Sequence, residues 1–326
     1  MTARRIVVIG GSAGSIEGLK LVSEGLPPDL QAAVFAAVHV SSTGRSGLAE
    51  LLQRHARVRV SRAVDGAPIE EGEMYVGPAD RHLLVGRTRM HLGHGPKENG
   101  HRPAIDALFR SAARNHGSRV IGVVLSGLLD DGALGLAMIG GRGGVTVVED
   151  PDTAAFPSMP QNAVQVAQPD HIVPAQQIPA LLAELCVLPV PAGEEPAGGI
   201  EPGDVDDEGV DEGIAAADVP GAPTGLTCPE CHGALWEDPL GGLNFRCRIG
   251  HRYAAESLVE RQADSVENAL WAALRALEEQ GSTATRLGDR LGRLGDQVSQ
   301  RRFRERAESA RRQAHVLRRL LTEPPD

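Results

Sequence analysis

Near the start of the chain, Ile9-Gly10-Gly11-Ser12-Ala13-Gly14-Ser15 passes from a short apolar run through glycines into a helical pattern. A serine at such a turn is held at the end of a sheet with its hydroxyl exposed. The helix N-terminus behind it offers unpaired N–H groups and partial positive charge to a developing oxyanion. Gly10 and Gly14 bracket Ser12 much as in a nucleophile elbow, although the spacing is not G-x-S-x-G. Such turns also bind phosphate or simply redirect the chain. Here the run lacks both G-x-G-x-x-G and a Walker lysine, which disfavours a nucleotide.

A serine nucleophile requires a base, and the base requires an orienting group. His39 closes the apolar run Ala36-Ala37-Val38, and Asp130-Asp131-Gly132 follows the longer run Val120–Leu125. Each has a bland reading by itself. A histidine at a strand end can be a capping or partly buried residue, and paired aspartates before a glycine turn the chain and cap the next helix. Three polar residues at three strand ends, where open α/β sheets bind ligands, are together a candidate triad of Ser12, His39 and Asp131. His101 is the alternative base.

A second chemistry sits far downstream. Cys228-x₂-Cys231, followed by Cys247-x₃-His251, supplies three thiols and an imidazole at zinc-ribbon spacing. Soft thiolates in a closed tetrahedral set select Zn²⁺ and imply a structural rather than a catalytic metal. A reduced, metal-free cluster is the plain alternative, and His232 could replace His251, although it adjoins Cys231.

The elements that must position these groups alternate up to about Leu188. Strands are predicted at Ile6–Ile9, Ala33–Val38, Val120–Leu125 and Val145–Val148, with helices at Gly14–Glu24, Leu48–His55, Ile105–Arg114 and Ala133–Ile139. Met74–Val76, Leu83–Val85 and Met90–Leu92 read as short hairpin strands. The expected fold is therefore α/β, a mainly parallel sheet with helices on both faces, followed by a small zinc-ribbon-like module and a helical hairpin. Boundaries are expected at 1–188 for the catalytic domain, 189–225 for an acidic Gly/Pro-rich linker, 226–253 for the Cys/His module and 254–326 for the helical tail. Gly281 and Ser282 mark the expected turn between the tail helices.

Composition narrows the function classes. The formal net charge of −10 is matched by the acidic residues between Val190 and Thr227, a stretch with no Lys or Arg, so the rest is near neutral. Aromatics are 3% of the chain, too few for a stacking platform for single-stranded nucleic acid. Arginines of the tail alternate with Glu and Asp, as on a solvated, salt-bridged helix face, so no nucleic acid is expected. No run is long and apolar enough to suggest a signal peptide or membrane insertion, and cysteines at metal-ligand spacing suit a reducing, cytoplasmic setting.

From Arg5 to about Leu185 the chain resembles the catalytic domain of the chemotaxis protein-glutamate methylesterases. The family turn Ile-Gly-(Ala/Gly)-Ser-(Ala/Thr)-Gly-Gly stands here as Ile9 to Ser15, and its second-strand histidine as His39. Its (Thr/Ser)-Gly-Met-Gly-x-Asp-Gly-Ala motif stands as Ser126 to Ala133, and its His-Arg-Pro stretch falls within Asn99–Phe109. Ser15 and Leu129 replace family glycines, and Ser41-Ser42 replace prolines; added bulk at Leu129 could shift Asp131.

The resemblance implies that Ser12 attacks glutamate γ-methyl esters of chemoreceptors or similar signalling proteins and releases methanol. It implies His39 as base, Asp131 as its partner, backbone N–H groups of Ala13 and Leu128 for the oxyanion, and His101 and Arg102 beside the substrate groove. No cofactor is expected for catalysis, deamidation of glutamine is a possible second activity, and dimerisation through the C-terminal helices is a possible association. The domain begins almost at residue 1, so a stand-alone enzyme without the family's phospho-receiver is expected, controlled if at all through the C-terminal module. The other readings are a non-catalytic signalling adaptor on the same fold and a serine hydrolase for another small ester.

Overall fold

The computed structural model describes residues 5–39, 47–190, 221–237 and 243–322; Ser41, Ser42 and most of the expected linker lie outside them. Two compact units are present, Met1–Leu258 and Val259–Asp326.

In the first unit the early strands are β1 (Arg5–Gly11), β2 (Ala32–Val38), β3 (Arg59–Arg62) and β4 (Glu73–Val76). They are followed by β5 (His82–Val85), β6 (Met90–Gly93), β7 (Val120–Val124), β8 (Val145–Glu149) and β9 (His171–Val173). Seven of these form one sheet in the order β3-β4-β2-β1-β7-β8-β9. Every neighbouring pair in it is parallel. Met74–Val76, expected in a hairpin, instead lies between β2 and β3 in the parallel sheet, whereas the other two expected hairpin segments do pair with each other, as β5 and β6. All four residues of β4 are buried, as befits an interior strand rather than a half-exposed ribbon.

Residues alternating along the central strands feed two cores. Val7, Ile9, Val34 and Ala36 pack with helices α1 (Ser15–Gly25), α2 (Leu48–Gln53) and, at the end of the domain, Ile178–Val187. Ile6, Val8, Phe35 and Val124 pack on the other face with α3 (Ile105–His116), α4 (Ala133–Gly141) and α5 (Ser158–Ala167). The helix Ile178–Val187 is α6. The direction of winding reverses at β1, between β2 and β7, and this reversal opens the crevice in which open α/β sheets bind ligands.

The Cys/His segment forms a four-stranded antiparallel sheet of β10 (Pro223–Thr227), β11 (Ala234–Glu237), β12 (Asn244–Cys247) and β13 (Arg252–Ala254). This small sheet belongs to the same compact unit as the large one, although the sequence boundaries separate them.

The second unit is a helical hairpin built on α7 (Ala255–Arg293) and α8 (Gln297–Thr322). Its turn falls at Gly295, with φ 84°, and not at Gly281. Gly281 stays helical, and the position a Cβ would take there lies 3.6 Å from the Ala307 carbonyl oxygen, so glycine serves close helix approach rather than a break. Small buried residues, Ala284, Ala307, Ala310 and Ala314, line the seam, while the larger Leu294, Val298 and Leu320 are exposed.

Candidate active site and metal cluster

The sheet ladder runs on past the strand ends and ties the three candidate loops together. Ser12 N–H donates to the Ser126 carbonyl at 3.0 Å, and His39 N–H donates to the Gly11 carbonyl at 3.1 Å. The nucleophile turn is thus pinned between the loop after β2 and the loop after β7. Gly14 precedes α1 in the left-handed region at φ 75°, which suits glycine. The Ser15 hydroxyl, where the family has glycine, donates to the Ser12 carbonyl at 2.7 Å and tightens the turn.

On this frame the three side chains meet. His39 Nδ1 lies 3.2 Å from Ser12 Oγ, and His39 Nε2 lies 2.8 Å from Asp131 Oδ2. The ring and the carboxylate are buried while Ser12 keeps partial access to solvent. A carboxylate can only accept, so Nε2 carries the proton and Nδ1 presents its lone pair to the hydroxyl; this tautomer is assigned from the hydrogen bonds.

Asp131 is saturated with donors. Its Oδ2 also accepts from Ile105 N–H at 2.8 Å, and its Oδ1 accepts from Asp106 N–H at 3.1 Å and Asn99 Nδ2 at 3.0 Å. Helix α3 begins after Ala104, which has no capping side chain, so Asp131 supplies the missing acceptor from another loop. Glycines permit this approach: a Cβ on Gly10 would fall 2.1 Å from Ile105 Cγ2, and one on Gly132 would fall 2.6 Å from it. Burial by itself pushes the Asp131 carboxyl up. The hydrogen bond and charge of His39 and the Ile105 N–H outweigh that and hold it well below the usual carboxylate range. The neighbouring Asp106 is pushed the other way, by burial and by the Asp131 charge.

Neither Ala13 nor Leu128 gives its N–H to an acceptor among the described residues; Ala13 follows Ser12 in the chain, and Leu128 lies two residues past Ser126, whose carbonyl accepts from Ser12 N–H. His101 stacks on His39, with ring centroids 3.7 Å apart and planes 14° from parallel. Arg102 is committed to Asp80, with contacts of 3.0 and 2.7 Å, and to the Gly95 carbonyl at 2.7 Å. The Asn99, Asp106 and Ile105 contacts to Asp131 were not legible in the sequence. The Asn99–Phe109 stretch stands out there, but which acceptor it meets is a tertiary matter.

Leu129, the bulky departure before the aspartate, adopts φ 63°. A branched residue in that region carries strain of roughly 1 kcal/mol, which glycine would not. Its carbonyl is nonetheless held by Asn162 Nδ2 at 3.0 Å, and its N–H donates to Ser158 Oγ at 3.2 Å. Leu129→Gly is expected to raise stability by about 1 kcal/mol, read as a higher denaturant midpoint at unchanged slope. A lower midpoint would show that the leucine side chain contributes packing that exceeds the strain.

In the antiparallel module the donor atoms of Cys228, Cys231, Cys247 and His251 all lie within 4.8 Å of one another. Cys231 Sγ is 3.6 Å from Cys247 Sγ, and His251 Nδ1 is 3.7 and 3.4 Å from Cys228 Sγ and Cys247 Sγ. Thiolates about 2.3 Å from a tetrahedral zinc stand about 3.8 Å apart, so these separations fit the edges of one coordination shell. His232, at φ 58°, is exposed and outside the cluster.

Comparison with known proteins matches residues 7–182 to the CheB methylesterase family model. A protein-glutamate methylesterase/protein-glutamine glutaminase of Anaeromyxobacter dehalogenans is 38% identical over 180 residues, 55% of this chain and 53% of that protein. One from Xanthomonas oryzae pv. oryzae is 36% identical over 188 residues, 56% of this chain and 52% of that protein. The chain therefore spans about half the length of the curated relatives it matches. The crystal structure of the Thermotoga maritima CheB methylesterase catalytic domain superposes with a TM-score of 0.55 at 30% identity, covering 56% of this chain and 99% of that one. With the matched region taking in Ser12, His39 and Asp131 on the same parallel sheet, the chain belongs to the CheB methylesterase family.

Proposed function

We propose that this chain is a serine esterase that hydrolyses glutamate γ-methyl esters on chemoreceptors or related signalling proteins and releases methanol. The observation that carries the reading is the continuous hydrogen-bonded relay from Ser12 through His39 to Asp131 at the switch point of the sheet. Ser12 Oγ attacks the ester carbonyl while His39 Nδ1 takes its proton. The imidazolium so formed faces the ionised Asp131 and is stabilised by it. The N–H groups of Ala13 and Leu128 receive the oxyanion. Nδ1 then protonates the departing methoxide, and water, deprotonated by the same nitrogen, hydrolyses the acyl-enzyme. Glutamine deamidation would follow the same steps with ammonia leaving. Each step uses only protein groups and water.

Methanol release from a methylated chemoreceptor, with fluorophosphonate labelling of Ser12 in parallel, tests this reading. Release together with labelling supports it. Labelling without release would assign the site to another small ester, and neither would leave a signalling adaptor.

The Cys/His cluster is read as a structural zinc site with Cys228, Cys231, Cys247 and His251 as ligands, supported by the donor separations. The ion would cross-link a module too small to hold a large core of its own. Elemental analysis of the purified chain should give about one zinc per molecule, with Cys247→Ser losing it; a metal-free and equally stable protein would overturn the assignment. Among the described residues no helix is long and apolar enough to cross a membrane. Cytoplasmic location belongs to the proposal, as does self-association through the C-terminal helices, where Val266, Trp271 and Val298 are exposed. Sedimentation equilibrium on the full chain measures the latter.

A further inference from the structure

Asp131 has four donors, and three of them come from the His39 ring and the first turn of α3, the backbone N–H groups of Ile105 and Asp106. The fourth, Asn99 Nδ2, is oriented from elsewhere. Asn99 is buried, and its Oδ1 accepts from Ala254 N–H at 2.8 Å while its Nδ2 donates to Asp131 Oδ1 at 3.0 Å and Asp106 Oδ2 at 3.1 Å. Its own N–H donates to the Arg252 carbonyl at 2.8 Å. The amide can face only one way: an N–H fixes its oxygen on the Ala254 side, and two carboxyl groups fix its nitrogen on the other. Ala254 and Arg252 lie just past the last candidate zinc ligand, His251, and outside the matched family region of residues 7–182.

The same short segment holds the Asp131 loop from its other flank. Asp130, buried beside the triad carboxylate, accepts from Glu256 N–H at 3.0 Å and from the Ser257 hydroxyl. Asn162 Nδ2 joins the Leu129 carbonyl, at 3.0 Å, to Glu256 Oε2, at 2.7 Å. Glu98, paired with Arg110 at 2.5 Å, also feels the charge of Arg252. Residues 252–257 therefore grip Asn99, Leu129, Asp130 and, through Asn99, Asp131 itself.

Resting on the esterase reading, we propose that Asn99 is a positioning residue for the triad and that the segment following the Cys/His cluster is a working part of the active site, setting the Asp131 carboxylate through an Ala254–Asn99–Asp131 bridge. The physical reason is alignment. A buried carboxylate that loses one of four donors swings toward the remaining three, and the imidazole that depends on it loses its aim at Ser12. Misplacement of reacting groups by about 1 Å costs on the order of 100-fold in rate.

Two substitutions in the full chain break the bridge from opposite ends. Asn99→Gly removes the amide and tolerates the left-handed backbone, φ 52°, found there. Ala254→Pro, on an edge strand, puts a ring carbon where that N–H pointed, so it both removes the donor to Asn99 and crowds the Asn99 amide oxygen away from Ala254. Each is expected to lower kcat for methanol release by about 10-fold or more with KM unchanged, and the double variant to be no slower than the slower single one, since both break one connection. Unchanged kcat in either single variant, a rise in KM alone, or a double variant whose losses multiply would overturn the proposal.

Hydrogen exchange at the Ile105 and Asp106 amides, whose acceptor is Asp131, gives a second readout that needs no turnover. Faster exchange in Ala254→Pro supports the bridge, and unchanged exchange sinks it even if the wild type releases no methanol. The methylesterase reading itself fails if wild type releases no methanol, and a serine nucleophile fails with it if Ser12 also resists labelling.

Discussion

Ser12→Ala is expected to lower methyl-ester hydrolysis by roughly 10⁶-fold, leaving what oxyanion donors and substrate binding supply without a nucleophile. On the proposed reading Ser12 Oγ forms the acyl bond, and the proton it gives up in that step passes to His39 Nδ1, 3.2 Å away. A bound water could enter the vacated space and be activated by the same nitrogen, which sets the residual rate. The fold should not suffer, because the turn is held by the Ser12 backbone, through its N–H to Ser126 and its carbonyl to the Ser15 hydroxyl. Methanol release and fluorophosphonate labelling should vanish together at unchanged thermal stability. A loss of only a few-fold would mean that another residue carries the acyl group, and the assignment of the nucleophile would fall.

Asp131→Asn should cost about 10⁴-fold in kcat, the scale on which a triad loses its correct tautomer. Here the geometry gives a further reason. Both carboxylate oxygens receive two donors, Oδ2 from His39 and Ile105 and Oδ1 from Asp106 and Asn99. An asparagine offers an acceptor to one side only, so its NH₂ group must face donors on the other. Removing acceptors from charge-assisted buried bonds also costs on the order of 1.5–3 kcal/mol of stability. The pH dependence separates this from a generic loss. The folded carboxyl is held below its unfolded value of about 4, so its stabilising contribution is full above that pH and is lost as pH falls through the depressed folded value. The stability gap between wild type and Asp131→Asn should therefore narrow below about pH 4. A gap that stays constant into acid would show that Asp131 is not held ionised by these partners.

Much of this was written locally. Apolar runs such as Ile6–Ile9 and Val120–Leu125 have no choice but an interior strand, and the glycines around Ser12 can only form a tight turn into a helix. Those local rules determined the α/β class, the positions of Ser12, His39 and Asp131 at strand ends, and the spacing that gathers three cysteines and a histidine. The same rules misplaced Met74–Val76, because a short apolar run does not say whether its neighbour will be parallel or antiparallel. They also put the hairpin turn at Gly281, because a glycine that permits close helix packing looks in sequence like one that breaks a helix.

Only the tertiary structure decided how the triad carboxylate is held. Asp131 caps α3 from another loop, and Asn99 carries a bond from Ala254, separated from it by 155 positions, to that carboxylate. Hydrogen-bond partners so far apart leave no periodicity or spacing in the chain, since each residue type is locally compatible with many acceptors. The sequence determined which side chains could do the chemistry; the packing of α3 and of residues 252–257 against the β7 loop decided which donors aim them.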